Sequence, residues 1–115
     1  MRCEPHDLVL IPFPYADLGS SKKRPVLVLT NPDRHGDFIA LAVTTVPHPE
    51  PAIQLTAADI TDGSLPKPSW IRVDKVFTLS EQTLIKHIGK IKAEHVEKAL
   101  QRLCGIVGYV QKPTV

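Results

Sequence analysis

Pro25-Val26-Leu27-Val28-Leu29-Thr30 is nearly continuous in apolar, branched residues and only six residues long. It is too short for a buried helix, and proline opens it. It therefore reads as a β-strand with both faces covered. The same reading extends outward. His6 to Phe13 is a short branched run closed by Pro12 and Pro14, hence a first strand, and Pro14 to Lys23 is a polar loop with Gly19, Ser20 and Ser21. Asn31 to Asp37 has strong turn chemistry. Phe38 to Val46 makes a third strand ending at Thr44-Thr45, and Pro47, Pro49 and Pro51 stiffen the connector after it.

Ala52 to Thr56 alternates like a strand, Ala57 to Pro68 reads as a loop with one helical turn near Asp59, and Trp70 to Leu79 is the next strand. Ser80 is a plausible N-cap for a turn or short helix over 80–83. Leu84 to Ile91 is a final strand. One helix is expected, from Ala93 to about Tyr109. There Val96, Leu100, Leu103 and Val107 recur at spacings of three and four, with Glu94 and Glu97 in the first turns, where the helix dipole favours negative charge. Five or six short strands plus a C-terminal helix make a mainly β chain, a partly closed antiparallel barrel with the helix packed on it.

Composition agrees. The chain has 115 residues, suited to a single domain over 1–115. Eleven prolines are about double the usual ~5% and punctuate short strands rather than long helices. A net charge of +2 makes any basic site a local one. Cys3 and Cys104 form no disulfide framework, and the early Glu4, Asp7 and Asp17 do not resemble a secretory segment, so a cytoplasmic protein is expected. No apolar run approaches the ~20 residues that cross a bilayer, so no membrane partner is expected.

Three stretches carry polar chemistry. In Ser69 to Lys75, alternation puts Ile71 and Val73 on one face and Trp70, Arg72 and Asp74 on the other. A carboxylate that accepts a proton, a guanidinium that forks onto a phosphate and an indole that stacks on a base then share one surface. The same spacing also suits an ordinary surface ion pair, which is common and weak. Lys22, Lys23 and Arg24 end a loop and enter a strand, a cluster that attracts phosphate or simply keeps a strand end soluble. Thr44 and Thr45 can bond a phosphate oxygen, or reflect the liking of threonine for strands. His6, His35, His48, His87 and His95 are scattered without metal-ligand spacing, so neither metal nor cofactor is expected.

Asp7 to Tyr15, then Lys23 to Leu29, then Leu41 to Thr44, then Arg72-Val73-Asp74 followed by Thr78-Leu79, together resemble the MazF/PemK family of toxin–antitoxin endoribonucleases, in order and spacing and over residues 6–108. The resemblance implies an SH3-like barrel, a homodimer, cleavage of single-stranded RNA in a groove at the dimer interface, and neutralisation by an acidic cognate antitoxin. It implies Arg24, Thr44, Arg72 and Asp74 as catalytic residues. Lys22, Lys23, Phe13, Tyr15 and Trp70 are the accompanying candidates for holding RNA. Two departures stand out: His6 occupies a place where many members have glycine, and the first loop lacks the histidine that some members carry, so no role passes to it. Two rivals share the architecture: a non-catalytic gyrase-poisoning toxin of the CcdB type, and a plain nucleic-acid-binding barrel.

Overall fold

The computed structural model describes residues 2–12 and 22–110. Among them, seven strands form one antiparallel sheet: β1 (Asp7–Pro12), β2 (Lys23–Val28), β3 (Asp37–Thr44), β4 (Ile53–Leu55), β5 (Ile60–Thr61), β6 (Ser69–Ser80) and β7 (Lys86–Ile91). Their order is β4-β6-β3-β2-β1-β7-β5, a curved, nearly closed barrel. The helix α1 (Ala93–Ile106) follows β7 and packs on β6 and β4. Short 3-10 turns cover Ala57–Asp59 and Glu81–Thr83. The Ser80 hydroxyl caps the second by accepting from Gln82 N–H at 3.2 Å, as its position in the sequence predicts. No described helix is long and apolar enough to cross a membrane.

β2 is covered on both faces, as its composition predicts: Val26, Leu27 and Val28 are wholly buried. Leu27 joins a cluster on one face with Leu8, Leu41, Val43, Ile71, Val73 and the helix residues Val96 and Ala99. Val26 and Val28 join a second cluster on the opposite face with Val9, Ile11, Phe38, Ala40 and Leu79. Burying a side chain of this size stabilises by about 1.5–3 kcal/mol. These two layers therefore hold the central strands firmly, and the polar residues at their ends sit on a rigid frame.

The structure differs from the sequence reading in four places. Leu100 and Val107 of the expected helix stripe are exposed, and Val96 and Ala99 are the helix residues that are buried. α1 stops at Ile106, with Gly108 just beyond it at φ +78°, a left-handed conformation that glycine adopts without strain and that commonly ends helices. The stretch read as a loop over 57–68 holds a two-residue strand, β5, on the edge of β7, too short to show alternation. Most important, β6 is not one continuous ladder. Leu41 of β3 faces Val76 while the next residue, Ala42, faces Arg72, so Val73, Asp74 and Lys75 form a three-residue bulge.

Candidate nucleic-acid interface

Strand register decides what can meet. Directly paired residues of antiparallel strands point to the same side. On β3, Thr44 pairs with Trp70 and Ala42 with Arg72. Ala42 also pairs with Val26 of β2, and Arg24 lies two residues back from Val26, in line with Thr44. Gln54 of β4 completes the row beyond Trp70. Arg24, Thr44, Trp70 and Arg72 therefore share one end and one face of the sheet, the face of the Val26 cluster, where the apolar lining gives way to polar groups. With strands about 4.8 Å apart and about 3.3 Å per residue, the Arg24 and Arg72 backbones lie roughly 12 Å apart, a gap that two long side chains can close around a phosphate. Ile71 and Val73 point the other way and are wholly buried, as the alternation predicts.

Arg72 and Asp74 form a bidentate pair: Nε donates to Oδ1 at 3.0 Å and Nη2 to Oδ2 at 2.9 Å. The side chains are 23% and 41% exposed, so the pair faces solvent rather than the core. The Arg72 hydrogen bonds hold the Asp74 carboxyl below the usual carboxylate range, and Asp74 in turn pushes the Arg72 guanidinium up. Both are charged at neutral pH. Trp70 is half-buried, while Lys22, Lys23 and Arg24 are exposed at the start of β2. The register thus places Arg24, Thr44, Trp70 and Arg72 on one face with Asp74 bound to Arg72, while Lys22 and Lys23 lie at the same strand end, Lys23 turned to the opposite face. Phe13 and Tyr15 lie outside the described residues.

One member of the cluster escapes a reading of the sequence. His48, in the proline-rich connector after β3, lies with Nε2 2.8 Å from Arg72 Nη1 and Nδ1 2.8 Å from the Val46 carbonyl. Val46 N–H in turn donates to the Thr44 hydroxyl at 3.1 Å. A string of hydrogen bonds thus runs from Thr44 through the connector to Arg72 and Asp74. No spacing rule links residues 48 and 72. A histidine between two prolines after a strand end was the only hint.

The other histidines serve elsewhere. His95 Nε2 lies 3.2 Å from Asp59 Oδ1, and His87 Nε2 3.4 Å from Asp7 Oδ2. Cys3 and Cys104 are free thiols, and burial, followed by Asp7 and Glu81, pushes Cys3 up to about 11. Among the described residues no three His, Cys, Asp or Glu side chains converge as metal ligands would.

Comparison with known proteins gives a consistent outcome. A family model for the PemK-like, MazF-like toxin of type II toxin–antitoxin systems matches residues 4–107. Among solved structures, a mycobacterial endoribonuclease in complex with its cognate antitoxin superposes with a TM-score of 0.73 at 20% identity, over 96% of this chain and 99% of that one. A MazE–MazF complex from Deinococcus radiodurans gives 0.77 at 18%, over 96% and 100%. The Mycobacterium tuberculosis toxin MazF-mt6 gives 0.70 at 18%, over 91% and 99%. At such identities the structural likeness establishes the fold. No curated protein matches in sequence.

Proposed function

The chain belongs to the PemK-like, MazF-like toxin family of type II toxin–antitoxin systems, and from that membership we propose that it is an endoribonuclease that cuts single-stranded RNA without a metal. The observation that carries the reading is the solvent-facing Arg72–Asp74 pair on the same sheet face and end as Arg24 and Thr44. RNA brings its own nucleophile. Its 2′-hydroxyl attacks the adjacent phosphorus in line, the P–O5′ bond breaks, and the products are a 2′,3′-cyclic phosphate and a 5′-hydroxyl. The protein has to accept one proton, stabilise the charge building on the phosphorane, and let the 5′-oxygen leave with a proton.

Asp74 accepts the 2′-hydroxyl proton. Its lowered pKa keeps it ionised at neutral pH but makes it a weak base, so charge stabilisation by the two arginines supplies the larger share of the rate. Arg72 commits three N–H groups to Asp74 and His48, and its other two have no partner among the described residues and point the chemistry toward a phosphate. Arginine is a poor acid, with a pKa above ~12, so the leaving oxygen takes its proton from water. The Thr44 oxygen accepts from Val46 N–H, which leaves its hydroxyl proton to donate to a non-bridging oxygen. Trp70 stacks on a flanking base, and Lys22 and Lys23 steer the strand electrostatically.

The same cations would bind an acidic antitoxin segment, and a second copy of the chain would complete the groove as a homodimer. Solved structures of the same fold in complex with an antitoxin support the first expectation. The test is cleavage of a fluorescent RNA in EDTA by the wild type and by Arg24→Ala, Arg72→Ala and Asp74→Ala. Each variant should lose at least about tenfold. Full rates in all three, or efficient cutting of a strand with a 2′-deoxy sugar at the scissile position, would overturn the proposal. Topoisomerase stalling without RNA cleavage would favour the CcdB-type reading instead.

A further inference from the structure

His48 is bound through both ring nitrogens, and its two partners dictate its protonation. The Val46 carbonyl has no hydrogen, so His48 Nδ1, 2.8 Å away, must be the donor. The Arg72 guanidinium has no lone pair to offer, so His48 Nε2, 2.8 Å from Nη1, must be the acceptor. Only the neutral Nδ1–H tautomer satisfies both. Adding a proton to Nε2 would set two N–H donors and two positive charges face to face at hydrogen-bond distance.

We infer that His48 is a positioning residue that holds Arg72 in place only while its imidazole is neutral, so that protonation of His48 releases the guanidinium from one side and lowers turnover. The inference rests on the endoribonuclease reading for its effect on rate, but the coupling between the two side chains is a property of the fold. Arg72 is gripped from two directions. Asp74 binds its Nε edge, on the same strand, and His48 binds Nη1 from the connector. With both in place the fork has one orientation. With Asp74 alone it can swing with that carboxylate, which lies on the bulge between Arg72 and Val76.

Arg72, itself paired with Asp74, meets His48 from β6, and Arg24 of β2 lies on the same face and end of the sheet. Glu50, two residues on in the connector, is turned to Arg102 of α1 at 3.4 Å, whose guanidinium also holds the Pro51 and Ala52 carbonyls. Asp74 titrates below the ordinary carboxylate range, and Arg72 stays charged throughout. A loss of activity above the carboxylate range therefore belongs to neither of them.

The experiment pairs a pH profile with a direct view of the guanidinium. For the wild type, kcat should fall in an acid limb with little change in KM. His48→Gln places an amide oxygen where Nε2 stood and cannot be protonated. It should keep most of the neutral-pH rate and lose that acid limb. His48→Ala should lower kcat about tenfold, the cost of one hydrogen bond to a charged group, and should also lack the limb. In parallel, NMR of the Arg72 side-chain N–H groups should show a shift that follows the imidazole titration in the wild type and is absent in His48→Gln. An acid limb that persists in His48→Gln, or Arg72 signals indifferent to the imidazole, would overturn the inference. If the wild-type protein cuts no RNA, the proposed function fails, and the NMR titration decides the His48–Arg72 coupling by itself.

Discussion

Replacing Asp74 by asparagine separates a working site from a decorative ion pair, because the two readings differ in which quantity moves. Two charges 2.9 Å apart attract by about 1.4 kcal/mol in a water-like medium. With Asp74 41% and Arg72 23% exposed, the setting is closer to water than to protein interior. Ordering an arginine side chain costs up to ~2 kcal/mol, so the net contribution to stability is between zero and about 1 kcal/mol. For a chain of this size that is a melting-temperature change of no more than about 4 °C. As proton acceptor and clamp for Arg72, however, the carboxylate contributes about 10²–10⁴-fold to the rate. Asparagine keeps the shape, loses the charge and offers one acceptor where Arg72 now uses two. The expected outcome is a nearly unchanged calorimetric melt and RNA cleavage reduced at least a hundredfold. A variant that melts like the wild type and retains more than half of its cleavage rate would refute the assignment.

Other perturbations follow from the packing. Gly63→Ala should destabilise by at least ~3 kcal/mol in chemical denaturation, because a Cβ there would stand 1.9 Å from the Ile88 carbonyl oxygen and 2.7 Å from Gly89 Cα, backbone that cannot step aside. Lys90→Met removes the cation that bridges Glu4 at 2.6 Å and the buried Asp7 at 2.9 Å. It should cost about 1–3 kcal/mol in the same assay, since Asp7 would keep only a backbone N–H and His87. Asp59 is held below its ordinary value of 3.8, first by the Thr56 backbone N–H. Its contribution is therefore complete above that value and is lost as pH falls through the lower folded one. Asp59→Ala should cost about 1–2 kcal/mol at pH 7, and the gap to wild type should close in acid melts.

Much of the fold was legible because its cues are local. Val26-Leu27-Val28 fills both faces with branched residues, Ile71 and Val73 alternate with Arg72, and of the helix stripe Val96 and Leu103 do face the core while Leu100 and Val107 do not. The face shared by Trp70, Arg72 and Asp74 followed from the pleat alone. What lay hidden depends on pairing between distant residues. Ile60–Thr61 is too short to carry a pattern, and it exists as a strand only because β7 lies beside it. The bulge after Arg72 has no glycine or proline to announce it. His48 acquires its meaning from Arg72, 24 residues away. His6, noted in the sequence for standing where relatives often have glycine, adopts φ +80°. That conformation costs a residue with a Cβ about 1–2 kcal/mol, and hydrogen bonds to Val28 and Ile91 on either side hold it.

The three unpaired residues of β6 are an odd number, and that has a consequence for how the chain tolerates change. Up to the interruption the odd-numbered positions, Ile71 and then Val73 at its first residue, turn toward the helix-covered layer. After it, the odd-numbered Phe77 and Leu79 turn toward the other. One long strand thus runs in two opposite phases, and the arch is the shim that reconciles them. Losing or gaining a single residue there would swap inside for outside along one half, sending either Arg72 into oil or Leu79 into water. The length of this short arch therefore constrains descent more strictly than the identity of Lys75 within it, and insertions or deletions that survive there should come in pairs.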